Sequence, residues 1–201
     1  WLRDRDDPAV VAHLKAENAY TQAVMAPTGA LQETLFTEIK GRIKQTDMSA
    51  PYPDGDYSYY TRYEDQREYP IYCRRWIARS SQRSSGERDI PRRSLGQELA
   101  KSDTAEQVML DVNELAEGYD FFQVSGREVS PDGSLLAYAI DVEGRRIYNV
   151  RIKDLTTDEM LEDELEGVTS NLVWANDGRT LFYSRQDPLT LRWYQIYRHV
   201  L

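Results

Sequence analysis

The chain has 201 residues, of which 40% are hydrophobic, 11% aromatic and 29% charged, and its length fits one or two domains. Its 14 Tyr, 4 Trp and 4 Phe supply too much apolar area for a disordered chain. The net charge of -9 lacks the basic footprint of a nucleic-acid binder. No apolar run approaches the ~18 residues of a membrane-spanning helix, so no membrane partner is expected.

The N-terminus, Trp1-Leu2-Arg3-Asp4-Arg5-Asp6-Asp7, has no apolar segment of a secretory signal. It also lacks an initiator Met, so residues are expected to have been lost upstream. Residues 7–44 read as two helices. Asp7 is a natural N-cap with Pro8 at the first helical position, and Val10, Val11, Leu14 and Ala19 follow at helical spacing. Pro27-Thr28-Gly29 reads as a break. Leu31, Leu35, Ile39 and Ile43 then form one apolar stripe, with Phe36 beside it. The pair is expected to form a packing hairpin without chemistry of its own.

From residue 50 the pattern changes to short aromatic and β-branched runs separated by turn dipeptides. Three segments repeat one design: Pro53-Asp54-Gly55 with Tyr57–Tyr60, Pro131-Asp132-Gly133 with Leu135–Tyr138, and Asn176-Asp177-Gly178 with Thr180–Tyr183. A Tyr lies five residues after each Gly, at positions 60, 138 and 183. A polar turn and a second strand follow each: Ile71–Arg74, Ile147–Arg151 and Gln195–Arg198. The Gly supplies the positive φ that such a tight turn needs.

Asp132 and Asp177 are 45 residues apart, and Asp54 and Asp132 are 78 apart. The longer interval contains an Arg- and Ser-rich segment, residues 77–105, with almost no apolar periodicity. Setting those 29 residues aside leaves 49. Both spacings match β-propeller blades of roughly 40–50 residues and four strands each. Gln107–Asp111 completes the first blade. Asn149–Asp154 and the acidic stretch around Leu161–Leu165 belong to the second, and Leu172-Val173-Trp174 opens the third. The predicted fold is mainly β with an N-terminal helical pair, the first blades of a seven-bladed β-propeller. Residues 1–48 form the helical segment, and residues 49–201 about two and a half blades with a loop insertion at 77–105. Propellers close with roughly four to eight blades. The rest is therefore expected from residues downstream or from another chain.

Few residues offer chemistry. The single cysteine, Cys73, excludes an internal disulfide and a cysteine-rich zinc site, and it reads as a buried, inert thiol. His13 and His199 are the only histidines, which leaves metal binding poorly supplied. No G-x-S-x-G elbow and no phosphate-binding G-x-x-x-x-G-K-[ST] loop occurs. Asp132 and Asp177 are explained by their turns. Glu159, Glu162, Asp163, Glu164 and Glu166 lack the order of a calcium loop and read as a solvated acidic loop. Arg74-Arg75 and Arg145-Arg146 could bind anions but read rather as exposed strand ends, or as partners in salt bridges of modest value. Arg79, Arg83, Arg88, Arg92 and Arg93 read as part of a long inter-strand loop. No catalytic, cofactor-binding or metal residue is assigned in this chain, and no cofactor is expected.

Several longer stretches resemble a known family. Trp1-Leu2-Arg3-Asp4 with Ala16-Glu17-Asn18-Ala19-Tyr20-Thr21 looks like the helical lead of the prolyl oligopeptidase family of serine peptidases. Arg42-Ile43-Lys44, Tyr60-Thr61-Arg62-Tyr63-Glu64, Glu68–Arg75 and Leu110–Ala116 bring the resemblance close to its oligopeptidase B (protease II) branch. Val129–Gly133 and Val173–Gly178 continue it, though these two are generic to propellers. The likeness spans nearly the whole chain except residues 77–105.

The resemblance implies a propeller that caps an α/β-hydrolase domain carrying a Ser-Asp-His triad. It implies that the N-terminal helices wrap onto that domain, a partner within the same protein. It further implies cleavage of short peptides after Arg or Lys, with the propeller excluding folded proteins. A cytoplasmic location is expected, and no triad residue falls in this chain. The other reading is a non-catalytic β-propeller module that binds a partner through an open face or edge.

Overall fold

A computed structural model describes residues 1–77 and 105–201. The described chain divides into two compact units, Trp1–Lys44 and Gln45–Leu201. In the first unit, α1 (Pro8–Met25) starts where Asp7 accepts the Ala9 N–H at 2.8 Å, capping one of the unpaired donors of the first turn. One 3₁₀ turn, Ala26–Thr28, leads into α2 (Gly29–Arg42).

This differs from the expected hairpin. Ala26 and Gly29 keep helical φ/ψ, so the chain does not fold back at Pro27. Pro27 sits in the first turn of a new helical segment, where its missing N–H costs little. The Thr28 hydroxyl donates to the Met25 carbonyl at 2.7 Å and accepts from Gln32, which stitches the junction. Leu31, Leu35, Phe36, Ile39 and Ile43 are all exposed.

Among the described residues, the regular structure of the second unit is strand apart from one helical turn. Strands β1 (Tyr52–Asp54), β2 (Tyr57–Arg62), β3 (Ile71–Trp76) and β4 (Glu106–Asp111) form one antiparallel four-stranded sheet in chain order. This is a complete first blade. The turn α3 (Val112–Leu115) follows, capped by Asp111, whose carboxylate accepts the Asn113 N–H at 2.9 Å.

A six-stranded sheet holds β5 (Gln123–Val129), β6 (Leu135–Asp141), β7 (Tyr148–Asp154), β8 (Met160–Trp174), β9 (Thr180–Gln186) and β10 (Trp193–Val200), paired in chain order. Two blades share it. The first part of β8 pairs with β7, as in Lys153↔Met160 and Val150↔Leu165. The last part pairs with β9, as in Leu172↔Tyr183 and Trp174↔Leu181. The expected outer strand of blade 2 and inner strand of blade 3 are thus one strand of 15 residues. A register shift between Val168 and Leu172 hands it from one partner to the other.

The repeated Asp-Gly turns join the first and second strands of each blade, and Gly55, Gly133 and Gly178 have φ of 56°, 76° and 66°. Each blade is stacked by its alternating side chains. On β6, Leu136, Tyr138 and Ile140 enter the core shared with blade 1, while Ala137 and Ala139 face blade 3. A strand covered on both faces reads as a nearly continuous apolar run, which explains Leu135–Ile140. The small alanines leave room for Trp174, Leu181 and Tyr183 of blade 3.

Candidate functional site

No catalytic constellation forms among the described residues, so the structure offers surfaces and seams. The residues singled out from sequence sort accordingly. Asp132 accepts the Ser130 hydroxyl at 2.6 Å and the Ser134 N–H at 3.1 Å. These hydrogen bonds, the Ser130 hydroxyl first, hold its carboxyl below the usual range. Asp177 does the same with the Thr180 hydroxyl and the Arg179 and Thr180 N–H groups. Both carboxylates are consumed by their own turns.

Cys73 is fully buried, and burial pushes its thiol up to about 11. A thiol so held is not a nucleophile near neutral pH. Beside it, Glu106 accepts the Tyr60 hydroxyl at 2.6 Å and Arg62 Nε at 3.1 Å. Burial works to raise the Glu106 carboxyl, but those two donors outweigh it and hold the group below its ordinary value. The same burial and the bond to Glu106 raise the Tyr60 hydroxyl well above its ordinary value. Among the described residues, no three His, Cys, Asp or Glu side chains converge to hold a metal ion.

Two sequence readings need correction, and a third cannot be placed among the described residues. Arg74 is not an exposed strand end, being 2% exposed. Its Nε donates to Gln107 at 2.7 Å, its Nη1 donates to the Gly133 carbonyl at 2.5 Å, and its guanidinium lies 3.9 Å from the Tyr57 ring centroid. It staples blade 1 to the Asp-Gly turn of blade 2. The acidic run Glu162–Glu166 is not a loop, because it lies within β8. There Glu164 pairs with Arg151 at 3.4 Å and Asp163 meets His199 at 2.5 Å. Of the insertion read at 77–105, residues 78–104, including Arg79, Arg83, Arg88, Arg92 and Arg93, lie outside the described residues. Arg145, by contrast, is exposed as expected and reaches the Pro188 carbonyl at 2.9 Å.

The seams between blades are specific. At the first, Arg127 stacks 3.7 Å from the Tyr72 ring centroid and bonds its hydroxyl, while Gln107 donates to the Leu155 carbonyl. At the second, the Trp174 indole donates to the Glu128 carbonyl at 2.9 Å, and Gln186 donates to the Arg146 carbonyl. The far side of blade 3 has no such neighbour among the described residues. Val173, Phe182, Trp193 and Ile196 stand exposed there and line a groove of about 500 Å³. An exposed apolar face on a sheet whose other face is buried is suited to packing against another element. In a propeller it is the face that meets the next blade.

Comparison with known proteins agrees with this architecture. The family model described as "Prolyl oligopeptidase, N-terminal beta-propeller domain" matches residues 1–201. Dipeptidyl aminopeptidase BI of Pseudoxanthomonas mexicana is 44% identical over 204 residues, covering 100% of this chain and 27% of that protein. Protease 2 of Moraxella lacunata is 33% identical over 203 residues, again covering 100% of this chain and 27% of that protein. The structure of oligopeptidase B from Leishmania major superposes with a TM-score of 0.75 at 34% identity, covering 99% of this chain and 25% of that one. The chain therefore spans about a quarter of the length of its relatives. It belongs to the prolyl oligopeptidase family, as the N-terminal β-propeller domain.

Proposed function

We propose that this chain is the helical and propeller part of a serine oligopeptidase that cleaves short peptides after Arg or Lys. The match of the whole chain to the family's N-terminal propeller carries the reading. The 33% identity to protease 2 and the 34% identity to an oligopeptidase B support the basic-residue preference. The net charge of -9 favours approach of cationic peptides.

In this reading the partner is an α/β-hydrolase domain of the same protein. That domain supplies the chemistry: Ser attacks the scissile carbonyl, His takes and returns the proton, and Asp orients the His. Residues 1–201 do the sorting. The stacked blades form a rigid wall that admits short peptides and turns folded proteins away. The exposed stripe of α2 docks on the hydrolase domain. The protein works in the cytoplasm, which its single, buried cysteine suits.

A second reading is release of dipeptides from free N-termini, favoured by the 44% identity to a protein named dipeptidyl aminopeptidase. The full-length gene product separates the two. It is expected to cleave an N-terminally blocked arginyl-arginyl amide. Cleavage of only an unblocked dipeptidyl amide supports the dipeptidyl-aminopeptidase reading, and cleavage of neither returns the propeller to a non-catalytic binding module.

A further inference from the structure

The Asp-Gly turn of blade 1 departs from the two others. In blades 2 and 3 the loop holds four residues, closed where the Ser130 N–H donates to the Leu135 carbonyl and the Ala175 N–H to the Thr180 carbonyl. In blade 1 the ladder runs on through Tyr52↔Tyr59 to Asp54↔Tyr57, so only Gly55 and Asp56 form the loop. Asp54 is thereby a strand residue and not a turn cap. Among the described residues its carboxylate has no hydrogen-bond or ion-pair partner, whereas those of Asp132 and Asp177 are used by their own turns.

Tyr52 and Asp54 stand on β1 and Glu128 on β5, the first strands of blades 1 and 2 and the edges of their sheets. In a propeller these inner edges line the central channel. Between them lies a cavity of about 180 Å³, lined by these three residues together with Tyr59, Tyr72 and Arg127. Pockets for drug-sized ligands take ~300 Å³ or more, so this one has room for a single side chain. The same seam shows what its tyrosine faces hold. The Arg74 guanidinium lies 3.9 Å from the Tyr57 ring centroid, and that of Arg127 lies 3.7 Å from the Tyr72 ring centroid. Tyr52 stacks on Tyr59 at 5.7 Å, stays 60% exposed, and has no Lys or Arg over its ring among the described residues. Burial raises the Tyr52 hydroxyl, Arg127 works against that, and the charges of Asp54 and Glu128 add to the rise, so both carboxylates are within electrostatic reach of the ring. Burial also pushes the Glu128 carboxyl up, and Arg127 offsets only part of this while it donates to the Tyr72 hydroxyl. The lining thus carries two carboxylates to one guanidinium, and that guanidinium is already engaged.

We propose that Tyr52, Asp54 and Glu128 form a subsite on the channel wall that takes one Arg or Lys side chain of a peptide inside the propeller. The inference deepens the proposed preference for basic residues and rests on that reading. The cation lies on the open face of Tyr52, as the guanidinium groups of Arg74 and Arg127 lie on theirs. Asp54 and Glu128 meet its charge, and two carboxylates without partners gain one. Arg127 stays on Tyr72 and disfavours an acidic side chain in the same place. The propeller thereby selects basic peptides itself, besides excluding folded proteins.

The test is equilibrium binding of fluorescein-labelled tetra-arginine amide to the full-length protein, followed by fluorescence anisotropy after a fluorophosphonate has stopped cleavage. Tetra-citrulline amide, which keeps the shape of the side chains without their charge, is the control. The double variant Asp54→Asn, Glu128→Gln is expected to bind tetra-arginine about tenfold more weakly than wild type, and Tyr52→Leu about threefold, the sizes of two partly exposed ion pairs and of one cation–π contact. Asp54→Glu should keep the wild-type affinity, and tetra-citrulline should bind wild type and variants alike. Equal tetra-arginine affinities of wild type, the double variant and Tyr52→Leu, or an equal loss for tetra-citrulline, would overturn the proposal. Cleavage of a blocked arginyl-arginyl amide by untreated wild type tests the peptidase reading separately, so a failure of that reading is told apart from a failure of the subsite.

Discussion

Glu106 and Gly126 show how single positions carry the fold. Glu106 is held below its ordinary pKa by Tyr60 and Arg62 against the opposing effect of burial. A carboxylate with a lowered folded-state pKa stabilises the protein at pH values above its unfolded value, about 4.3. That contribution disappears as pH falls through the lower folded value. Acid unfolding of Glu106→Gln should therefore show a shallower loss of stability below pH 5 than wild type. A superimposable acid limb would contradict this role. Gly126 has φ of 49°, and a Cβ there would lie 2.0 Å from the Ser170 carbonyl oxygen. That atom is backbone and cannot swing away. Gly55 has a similar φ, 56°, with open space around it. Gly55→Ala should cost about 1 kcal/mol from backbone strain alone, and Gly126→Ala about 3 kcal/mol or more because the inner strands must part. Urea midpoints of the two variants test the ranking, and equal midpoints would refute it.

Legibility from sequence followed the reach of each constraint. The Asp-Gly turns were plain because the requirement for positive φ and for a capping carboxylate is local. Arg74 was misread because its partners, Gln107 and Gly133, are 33 and 59 residues away. Nothing in Cys73-Arg74-Arg75 says which arginine faces another blade. The Asp163–His199 contact was invisible for the same reason, although strict alternation within Leu161–Leu165 and Tyr197–Leu201 places both residues on apolar faces.

At the scale of elements, two expectations failed on how strands and helices end. Pro27-Thr28-Gly29 contains the residues of a break, yet Pro is tolerated in a first helical turn and Gly29 adopts helical angles. The stretch between Leu165 and Leu172 likewise reads as a gap between strands. β8 instead continues through an irregular register, and strand pairing on both sides satisfies its backbone. Strand β6 was read correctly as a strand, and its spacing of large and small residues sets the distance between blades. Ala137 and Ala139 are fully buried against blade 3. Ala139→Leu should force that seam open and cost about 1–3 kcal/mol. A urea midpoint equal to that of wild type would show that the seam has slack the packing does not suggest.

At the scale of the molecule, both faces of blade 2 are buried, while blade 3 shows an apolar outer face with Ile196 82% exposed. The chain covers 27% of dipeptidyl aminopeptidase BI and of protease 2, so it is one part of the length of these relatives. The repeat period and the turn chemistry made this architecture legible in the sequence. The chemistry of the whole protein was implied only by the family resemblance, because no residue of this segment was assigned a reacting role.

The most direct test is the intact mass of the native gene product containing this sequence, before and after treatment with a fluorophosphonate. The account predicts a polypeptide about four times the 23.4 kDa of this chain that gains one phosphonyl group on a single serine. A native product near 23.4 kDa, or a longer one that takes up no label, would contradict it.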